Sequence, residues 1–467
     1  MERAARQVVA ALFLIAAAAR AQSESAEAAN AAAWLRALPP VSRDAAHFGV
    51  IGGVSMVHMG PQATDFIRAS GPGAFYRNAA MVALARQELD RRITYAEKLA
   101  AGGLTWNRDV QNFPWGMIES EPGTMSFTLI DHIVDSGAGY VGTVMPYAGW
   151  ELRAAGYPAT ADAMCTRLLT EDFFYLDFDH RMDRFKDAAA WQRYLRILAE
   201  RYGDRVRYWQ IHNEPEGDRC GLFRNDVAAF VTLMRDAYGI VHAACPSCQV
   251  LQGGAGIPLW RENEVGGGTF WRDFAAMGGA QYVDVIAVHY NDGKVDGGSI
   301  ANFEAQVARL RELLGRNKPV WATEFGVMVD FGGQFHALPE KDAAAWYVRF
   351  YTAGLAAGVS RFFSDAVSFV RFPDGTVLLP FYVNKLLEAK LGGFTAAAKV
   401  ADGQYRFRVG GSDRWVLWNG VPAAITGTVI ATDMYGNESA VNAAALAPAE
   451  SNPLIVTVIP PRRRAAR

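Results

Sequence analysis

The chain has 467 residues, of which 51% are hydrophobic and 20% are charged, a composition typical of soluble globular proteins. A formal net charge of −2 excludes the strong positive field with which proteins attract nucleic acids or anionic membranes, so we expect neither partner. The length suits one large domain with, at most, a small companion, and we expect a monomer.

The N-terminus has the three parts of a secretory signal peptide. The segment "MERAAR" carries two arginines against one glutamate, "QVVAALFLIAAAA" is a 13-residue apolar run, and "ARA" precedes Gln22. The apolar run is too short to cross a bilayer comfortably. We therefore predict cleavage after Ala21 and a secreted or periplasmic mature protein. Its N-terminal lead-in, residues 22–45, is either mobile or packed on the domain that follows.

Eight short runs of apolar or β-branched residues come next, each separated from the following run by an amphipathic stretch. They are "HFGVIGGV" (47–54), "GLTWNR" (103–108), "GYVGTVM" (139–145), "VRYWQIH" (206–212), "CQVLQGG" (248–254), "VDVIAVH" (283–289), "PVWATE" (319–324) and "VSRFFS" (359–364). Large apolar side chains recur at helical spacing between them, as in residues 188–203. Strands that alternate with helices predict parallel βα units. The sequence therefore predicts an α/β fold, a (β/α)8 TIM barrel over residues 46–393.

A doubly wound open sheet is the alternative arrangement of such units. Its dinucleotide-binding form places G-x-G-x-x-G directly after the first strand, and this chain has no such motif there. The later "GGAG" (253–256) is too short to serve as that motif. We therefore favour the barrel and expect no cofactor.

The composition changes after residue 393. Residues 403–420, 426–439 and 453–460 read as strands with turn residues at short spacing. They predict a small, sandwich-like all-β module over residues 394–461, followed by a basic tail at 462–467. A module of this size has little core of its own, so we expect it to pack on the barrel.

The four cysteines are candidates for disulfides if the protein is exported. Cys165 and Cys220 follow two successive strands, in loops that could be neighbours. Cys245 and Cys248 form "CPSC" between a helix and the next strand. No second CxxC accompanies this motif. A local structural disulfide or a pair of buried thiols is therefore favoured over redox chemistry or a zinc site.

Two glutamates follow predicted barrel strands in the same register. Glu214 comes directly after the fourth strand, in "VRYWQIHNEPEG" (206–217), and Glu324 ends the seventh, "PVWATE" (319–324). They are 110 residues apart, about 37 for each of the three intervening units. The carboxyl ends of barrel strands share one rim, where catalytic groups lie. Glycoside hydrolysis needs two such carboxyls, one to donate a proton and one to attack or stabilise the anomeric carbon.

At these residues the sequence resembles the clan A glycoside hydrolases, retaining enzymes built on (β/α)8 barrels. "WQIHNEP" (209–215) is similar to the fourth-strand motif of that clan, and "ATEFG" (322–326) is similar to its seventh-strand motif. The resemblance implies that Glu214 is the acid/base and that Glu324 is the nucleophile.

Within the clan, the chain most resembles glycoside hydrolase family 39, which includes xylosidases, iduronidases and bacterial exopolysaccharide hydrolases. "RDVQNFPWGMIESEPGTMSFTLIDHIVDSG" (108–137) is similar to a stretch of that family containing Arg, Trp, Ile-Glu, Gly and a helix, and the resemblance extends from about residue 47 to residue 460. It implies that Arg108 supports the nucleophile and that Tyr147 and Trp150 face the sugar.

The resemblance also implies that Asn213 binds the sugar 2-hydroxyl and that Tyr290, after the sixth strand, contacts the nucleophile. Many clan members end the eighth strand with a tryptophan beneath the reacting sugar. This chain has Phe362 and Phe363 in that strand, so we expect an innermost subsite of different shape.

Two histidines and a third glutamate adjoin these residues. His212 and His289 either tune the site or pack beside it as satisfied polar neighbours. Glu216 is expected to be a loop carboxylate and not a second acid. The eight histidines show no paired ligand spacing, so we expect no metal.

The sequence thus predicts an exported retaining glycosidase that cleaves O-glycosidic bonds of a poly- or oligosaccharide by double displacement. One alternative is a non-catalytic glycan-binding protein on a degenerate barrel. The other is a transglycosylase that uses the same residues.

Overall fold

The computed structural model describes residues 23–55, 59–109, 112–137, 139–146, 187–216, 223, 226–256, 269–290, 298–329, 337–372 and 374–459. The predicted signal peptide, the basic tail, Tyr147, Trp150, Cys165 and Cys220 lie outside these residues.

Eight parallel strands of the described chain follow one another around a barrel. They are β1 (Phe48–Ile51), β2 (Leu104–Arg108), β3 (Gly139–Val144), β4 (Tyr208–Ile211), β5 (Gln249–Leu251), β6 (Ile286–Tyr290), β7 (Val320–Phe325) and β8 (Val359–Asp365). Bridges from Leu251 to Val285 and from Ala255 to Val288 join β5 to β6 and complete the circle. The predicted (β/α)8 barrel is confirmed.

Helices surround the barrel and precede or connect its strands. They are α1 (Ala33–Arg36), α2 (Pro61–Arg77), α3 (Ala79–Ala101), α4 (Trp115–Ile118), α5 (Thr128–Asp135), α6 (Ala188–Tyr202), α7 (Val227–Ala244), α8 (Phe270–Ala276), α9 (Gly298–Leu314), α10 (Glu340–Ala356) and α11 (Leu379–Leu391). Helix α6 shows how the sequence specifies them. The Asp187 carboxylate accepts hydrogen bonds from the N–H groups of Ala189 and Ala190 and caps the first turn. The periodic apolar face of α6 is buried, as its spacing predicts.

Short antiparallel strand pairs lie in the connections between these elements. They pair Glu119–Glu121 with Thr124–Met125 and Val370–Arg371 with Thr376–Val377. A third, parallel pair joins Met328–Val329 to Ala337–Leu338 just after β7.

Large side chains fill the interior of the barrel below the ends of the strands. Trp106, Trp321 and Phe363 belong to one buried cluster inside it. The Arg361 guanidinium lies 4.5 Å from the Trp106 ring centroid and 4.7 Å from that of Trp321, close enough for cation–π attraction. Because these side chains fill the inside of the barrel, a ligand could enter it at the carboxyl ends of the strands.

The C-terminal module is an antiparallel sheet whose strands are β9 (Ala396–Ala401), β10 (Gln404–Val409), β11 (Ser412–Leu417), β12 (Thr428–Thr432), β13 (Glu438–Asn442) and β14 (Leu454–Val458). They are hydrogen-bonded in the order β9–β10–β11–β14–β12–β13. The module packs against the barrel, as predicted. Glu304 of α9 accepts hydrogen bonds from Lys399, at 2.6 Å, and from the hydroxyl of Tyr405, at 2.8 Å.

The lead-in is packed from residue 23 onward. The Ser25 N–H donates to the Val377 carbonyl at 2.9 Å, and the Trp34 indole donates to the Gly436 carbonyl at 2.7 Å. Leu35 is fully buried. The sequence left the lead-in either mobile or packed, and in the structure it is packed. It contacts both the barrel and the C-terminal module.

Cys245 and Cys248 form a disulfide between α7 and β5. Both residues are buried, Cys248 almost completely. The local disulfide is one of the two states expected for this motif. Among the described helices, none combines the length and apolarity needed to cross a membrane.

Candidate active site

The turn after β4 carries Glu214 in an unusual backbone conformation. His212 and Glu214 have φ angles of 72° and 44°, in the left-handed region that non-glycine residues seldom occupy. The Glu214 N–H donates to the carbonyl of Gly253, at 2.6 Å, which ties this turn to the segment after β5. Backbone strain of this kind costs on the order of 1–3 kcal/mol and is concentrated at functional sites.

Glu324, on β7, is held by an arginine from β2. A guanidinium nitrogen of Arg108 lies 2.7 Å from its carboxylate, and the Arg108 side chain is fully buried whereas that of Glu324 is 27% exposed. The same guanidinium donates to Asn213 at 2.5 Å and to Gln210 at 3.2 Å. Arg108 thus joins the seventh-strand glutamate to the fourth-strand motif.

His289, on β6, contacts the other glutamate, and its tautomer follows from its neighbours. Its Nε2 lies 3.3 Å from an Arg108 nitrogen, which is only a donor, so Nε2 accepts. The proton of the neutral ring is then on Nδ1, which donates to Glu214 at 2.9 Å. Burial lowers the pKa of His289 to about 3, and the charge of Arg108 acts in the same direction while Glu324 opposes it. The ring is therefore neutral at neutral pH.

The two glutamates face each other at short range. A carboxylate oxygen of Glu214 and one of Glu324 lie within 4.8 Å of each other and of a His289 nitrogen. Among the described residues, these three side chains have ligand atoms close enough together to share a metal ion. The Arg108 cation on Glu324 and the proton on Nδ1 both disfavour that use. The arrangement instead suits one carboxylate held by the Arg108 guanidinium and one carboxyl that exchanges a proton beside a neutral imidazole.

Two predicted site residues lie outside this cluster in the described structure. His212 packs edge-on against Phe223 and Phe230, and its Nδ1 accepts from the Asn213 N–H at 2.8 Å. These contacts are those of a polar side chain packed beside the site, and a role of His212 in tuning the site stays a prediction.

The ring of Tyr290 packs against Phe303 of α9 and Phe350 of α10, on the opposite side of β6 from His289. The structure therefore brings His289, and not Tyr290, to the glutamates. Tyr147 and Trp150 fall outside the described residues, so their roles remain predictions.

Sequence reasoning did not single out Gln210 or Asp365. Gln210 is fully buried and accepts from Arg108. Asp365 ends β8, beside the strand that carries Glu324. Burial raises the pKa of Asp365 to about 7, and the charges of Glu324 and Asp109 add to the effect. The eighth strand thus contributes a carboxyl at its end, after the two phenylalanines, which are buried.

Comparisons with known proteins bear on the fold. No protein-family model and no curated protein matches the chain. A family 39 glycoside hydrolase from Bacteroides cellulosilyticus WH2 aligns with a TM-score of 0.52 and 15% identity, over 79% of this chain and 78% of that one. A glucosidase from Croceicoccus marinus aligns at 0.46 and 14%, over 79% and 91%. Endo-glycoceramidase II from Rhodococcus sp. aligns at 0.46 and 15%, over 80% and 92%. The chain therefore has the barrel fold of a family 39 glycoside hydrolase structure, in line with the predicted resemblance.

Proposed function

We propose that the protein is an exported retaining glycoside hydrolase that cleaves O-glycosidic bonds of a poly- or oligosaccharide. The observation that carries the proposal is the short distance between the two glutamates, whose carboxylate oxygens lie within 4.8 Å. Retaining glycosidases separate their carboxyl groups by about 5 Å, whereas inverting enzymes leave about 6.5–9.5 Å for a water molecule. The spacing favours direct attack by one carboxylate.

Glu324 is the better nucleophile of the pair because the bond from the buried Arg108 guanidinium orients its carboxylate. In the first step a Glu324 oxygen attacks the anomeric carbon and forms a glycosyl–enzyme ester. Glu214 gives its proton to the departing glycosidic oxygen, so no free alkoxide leaves. Asn213, whose side-chain oxygen accepts from Arg108, binds the sugar hydroxyl next to the reacting carbon in this proposal.

Glu214 acts as the base in the second step. It removes a proton from a water molecule, whose oxygen attacks the anomeric carbon and releases Glu324. The neutral His289 donates to one Glu214 oxygen in both protonation states and so holds the carboxyl while it gives up and regains its proton. Two inversions at one carbon retain its configuration.

Two observations support export. The N-terminal pattern is that of a cleaved signal peptide. The Cys245–Cys248 disulfide suits an oxidising compartment such as the periplasm or the cell exterior.

A panel of polysaccharides that includes bacterial exopolysaccharides tests the proposal. Products are separated by chromatography, and a Glu214→Gln/Glu324→Ala double variant serves as the blank. We expect new reducing ends on at least one member with the wild-type protein only. Binding without release on every member would favour the glycan-binding alternative, and transfer to added sugar acceptors in place of water would favour the transglycosylase.

The Arg108 contacts give a separate prediction. Arg108→Lys keeps the charge, but one ammonium cannot reproduce the planar bonds to Glu324, Asn213 and Gln210. A hydrogen bond to a charged group contributes about 1.5–3 kcal/mol, so we expect kcat/KM to fall about 10²-fold. Steady-state kinetics on the substrate found in the panel measures this. Arg309→Lys, at an exposed position of α9, is the matched control. A loss below about threefold would contradict the role of Arg108.

A further inference from the structure

Glu216, two residues after the acid/base, is only 1% exposed. A buried carboxyl costs free energy unless hydrogen bonds compensate it. One of its oxygens accepts from the Gly256 N–H at 2.7 Å. Burial raises the pKa of Glu216 to about 7, a hydrogen bond from the Trp271 side chain opposes the rise, and the neighbouring charge of Glu214 adds to it. A buried acid beside the site calls for a specific use, which the role of loop carboxylate expected from the sequence does not supply.

Gly256, one partner of Glu216, belongs to a glycine segment, residues 253–256, that follows β5. Its first residue, Gly253, accepts the backbone N–H of Glu214 at 2.6 Å. Ala255 accepts the N–H of His289 at 2.9 Å. The glycine segment is therefore hydrogen-bonded to the backbone of both Glu214 and His289.

The glycines of this segment also contact the side chains of Glu214 and His289. A Cβ atom on Gly256 would lie 2.5 Å from a Glu214 carboxylate oxygen, and one on Gly254 would lie 2.1 Å from Nε2 of His289. Contacts this short exclude any side chain at either position without a shift of the site. The backbone of the glycine segment thus forms a wall against which the Glu214 carboxyl and the His289 ring rest.

We propose that Glu216 is a positioning residue that fixes the glycine segment through Gly256, so that the segment holds the Glu214 carboxyl in the orientation needed for proton transfer. The inference rests on the proposed function, in which Glu214 is the acid/base. It assigns Glu216 no contact with substrate. Proton transfer requires geometry good to a few tenths of an ångström, and a misplacement of about 1 Å can cost about 10²-fold in rate.

Leaving-group dependence separates this role from general destabilisation. Phenyl glycosides of the sugar found in the panel need protonation of the departing oxygen, whereas 2,4-dinitrophenyl glycosides leave without it. We expect Glu216→Ala to lower kcat for bond cleavage in the phenyl glycoside by about 10- to 100-fold while the 2,4-dinitrophenyl glycoside loses less than about threefold in single-turnover measurements. Glu216→Gln, which keeps the oxygen acceptor for Gly256, is expected to recover most of the loss.

Glu312→Ala, at an exposed position of α9, is the control for glutamate removal. Circular dichroism and the thermal unfolding midpoint check that each variant folds. If Glu216→Ala does not fold, Gly256→Ala replaces it, since the added methyl displaces the same Glu214 oxygen and should give the same selective loss.

Three results would overturn the proposal. The first is an equal loss of rate on both glycosides, and the second is no loss on either. The third is a Glu216→Gln variant as impaired as Glu216→Ala, which would mean that the charge of Glu216 matters and its hydrogen bond with Gly256 does not. Failure of the proposed function has a different signature, because Glu214→Gln itself would then keep its activity on the phenyl glycoside.

Discussion

Glu324→Ala is expected to lower kcat at least about 10⁴-fold, because the variant lacks the carboxylate that forms the covalent intermediate. Added azide can enter the space left by the side chain and attack the anomeric carbon of an activated glycoside directly. We therefore expect azide to restore turnover and to give a glycosyl azide of inverted configuration. Steady-state rates and NMR of the azide product measure the two effects.

Glu312→Gln is a suitable control, since it alters an exposed glutamate on α9 away from the site. It should retain the wild-type rate. An unrescued variant with near-wild-type activity would remove Glu324 from the mechanism. An azide product of retained configuration would mean that another group in the protein still attacks first.

Glu214→Gln is expected to produce a loss that depends on the leaving group. General acid catalysis contributes about 10²–10⁴-fold, so cleavage of the natural oligosaccharide should fall by that amount. A 2,4-dinitrophenyl glycoside should still form the glycosyl–enzyme rapidly. Its hydrolysis then stalls, because no base activates the water.

A burst of dinitrophenolate followed by a slow steady state is therefore expected in stopped-flow measurements. Azide needs no base and should accelerate the slow phase, with retained configuration in the product. Equal losses on both kinds of substrate, without a burst, would contradict the acid/base role of Glu214.

The barrel and its pair of glutamates could be predicted because both depend on local repeats. Each βα unit must bury an apolar strand under an amphipathic helix, which imposes the pattern read in residues 47–364. The regular spacing of units then places Glu214 and Glu324 on one rim. The structure keeps both on that rim, after β4 and in β7.

The side of a strand that a residue faces was harder to predict. One step along β6, from Val288 to His289, is matched by two along β7, from Ala322 to Glu324, so an extra residue of β7 brings Glu324 opposite His289. Such a shift depends on how two strands about 35 residues apart in sequence pair with each other, and has no signature in the sequence of either strand alone.

Glu216 and Asp365 illustrate a second limit of local patterns. Glu216 is buried and Asp365 is half-buried, each among segments distant in the chain, and neither has a sequence neighbour that marks it as withdrawn from solvent. The raised pKa values of both carboxyls arise from that convergence. The "GGAG" segment had a detectable signal, since closely spaced glycines suggest close backbone approach, but its partners, Glu214 and His289, became evident only in three dimensions.

The account rests on a covalent intermediate at Glu324, and labelling that residue tests it most directly. The wild-type protein is incubated with the 2,4-dinitrophenyl 2-deoxy-2-fluoro glycoside of the sugar identified in the panel, whose fluorine slows the second step so that the ester accumulates. Peptide mass spectrometry should find one fluorosugar on the peptide containing Glu324, and none with Glu324→Ala. A label on any other residue, or release of dinitrophenolate by the wild-type protein without a labelled peptide, would contradict the double-displacement mechanism.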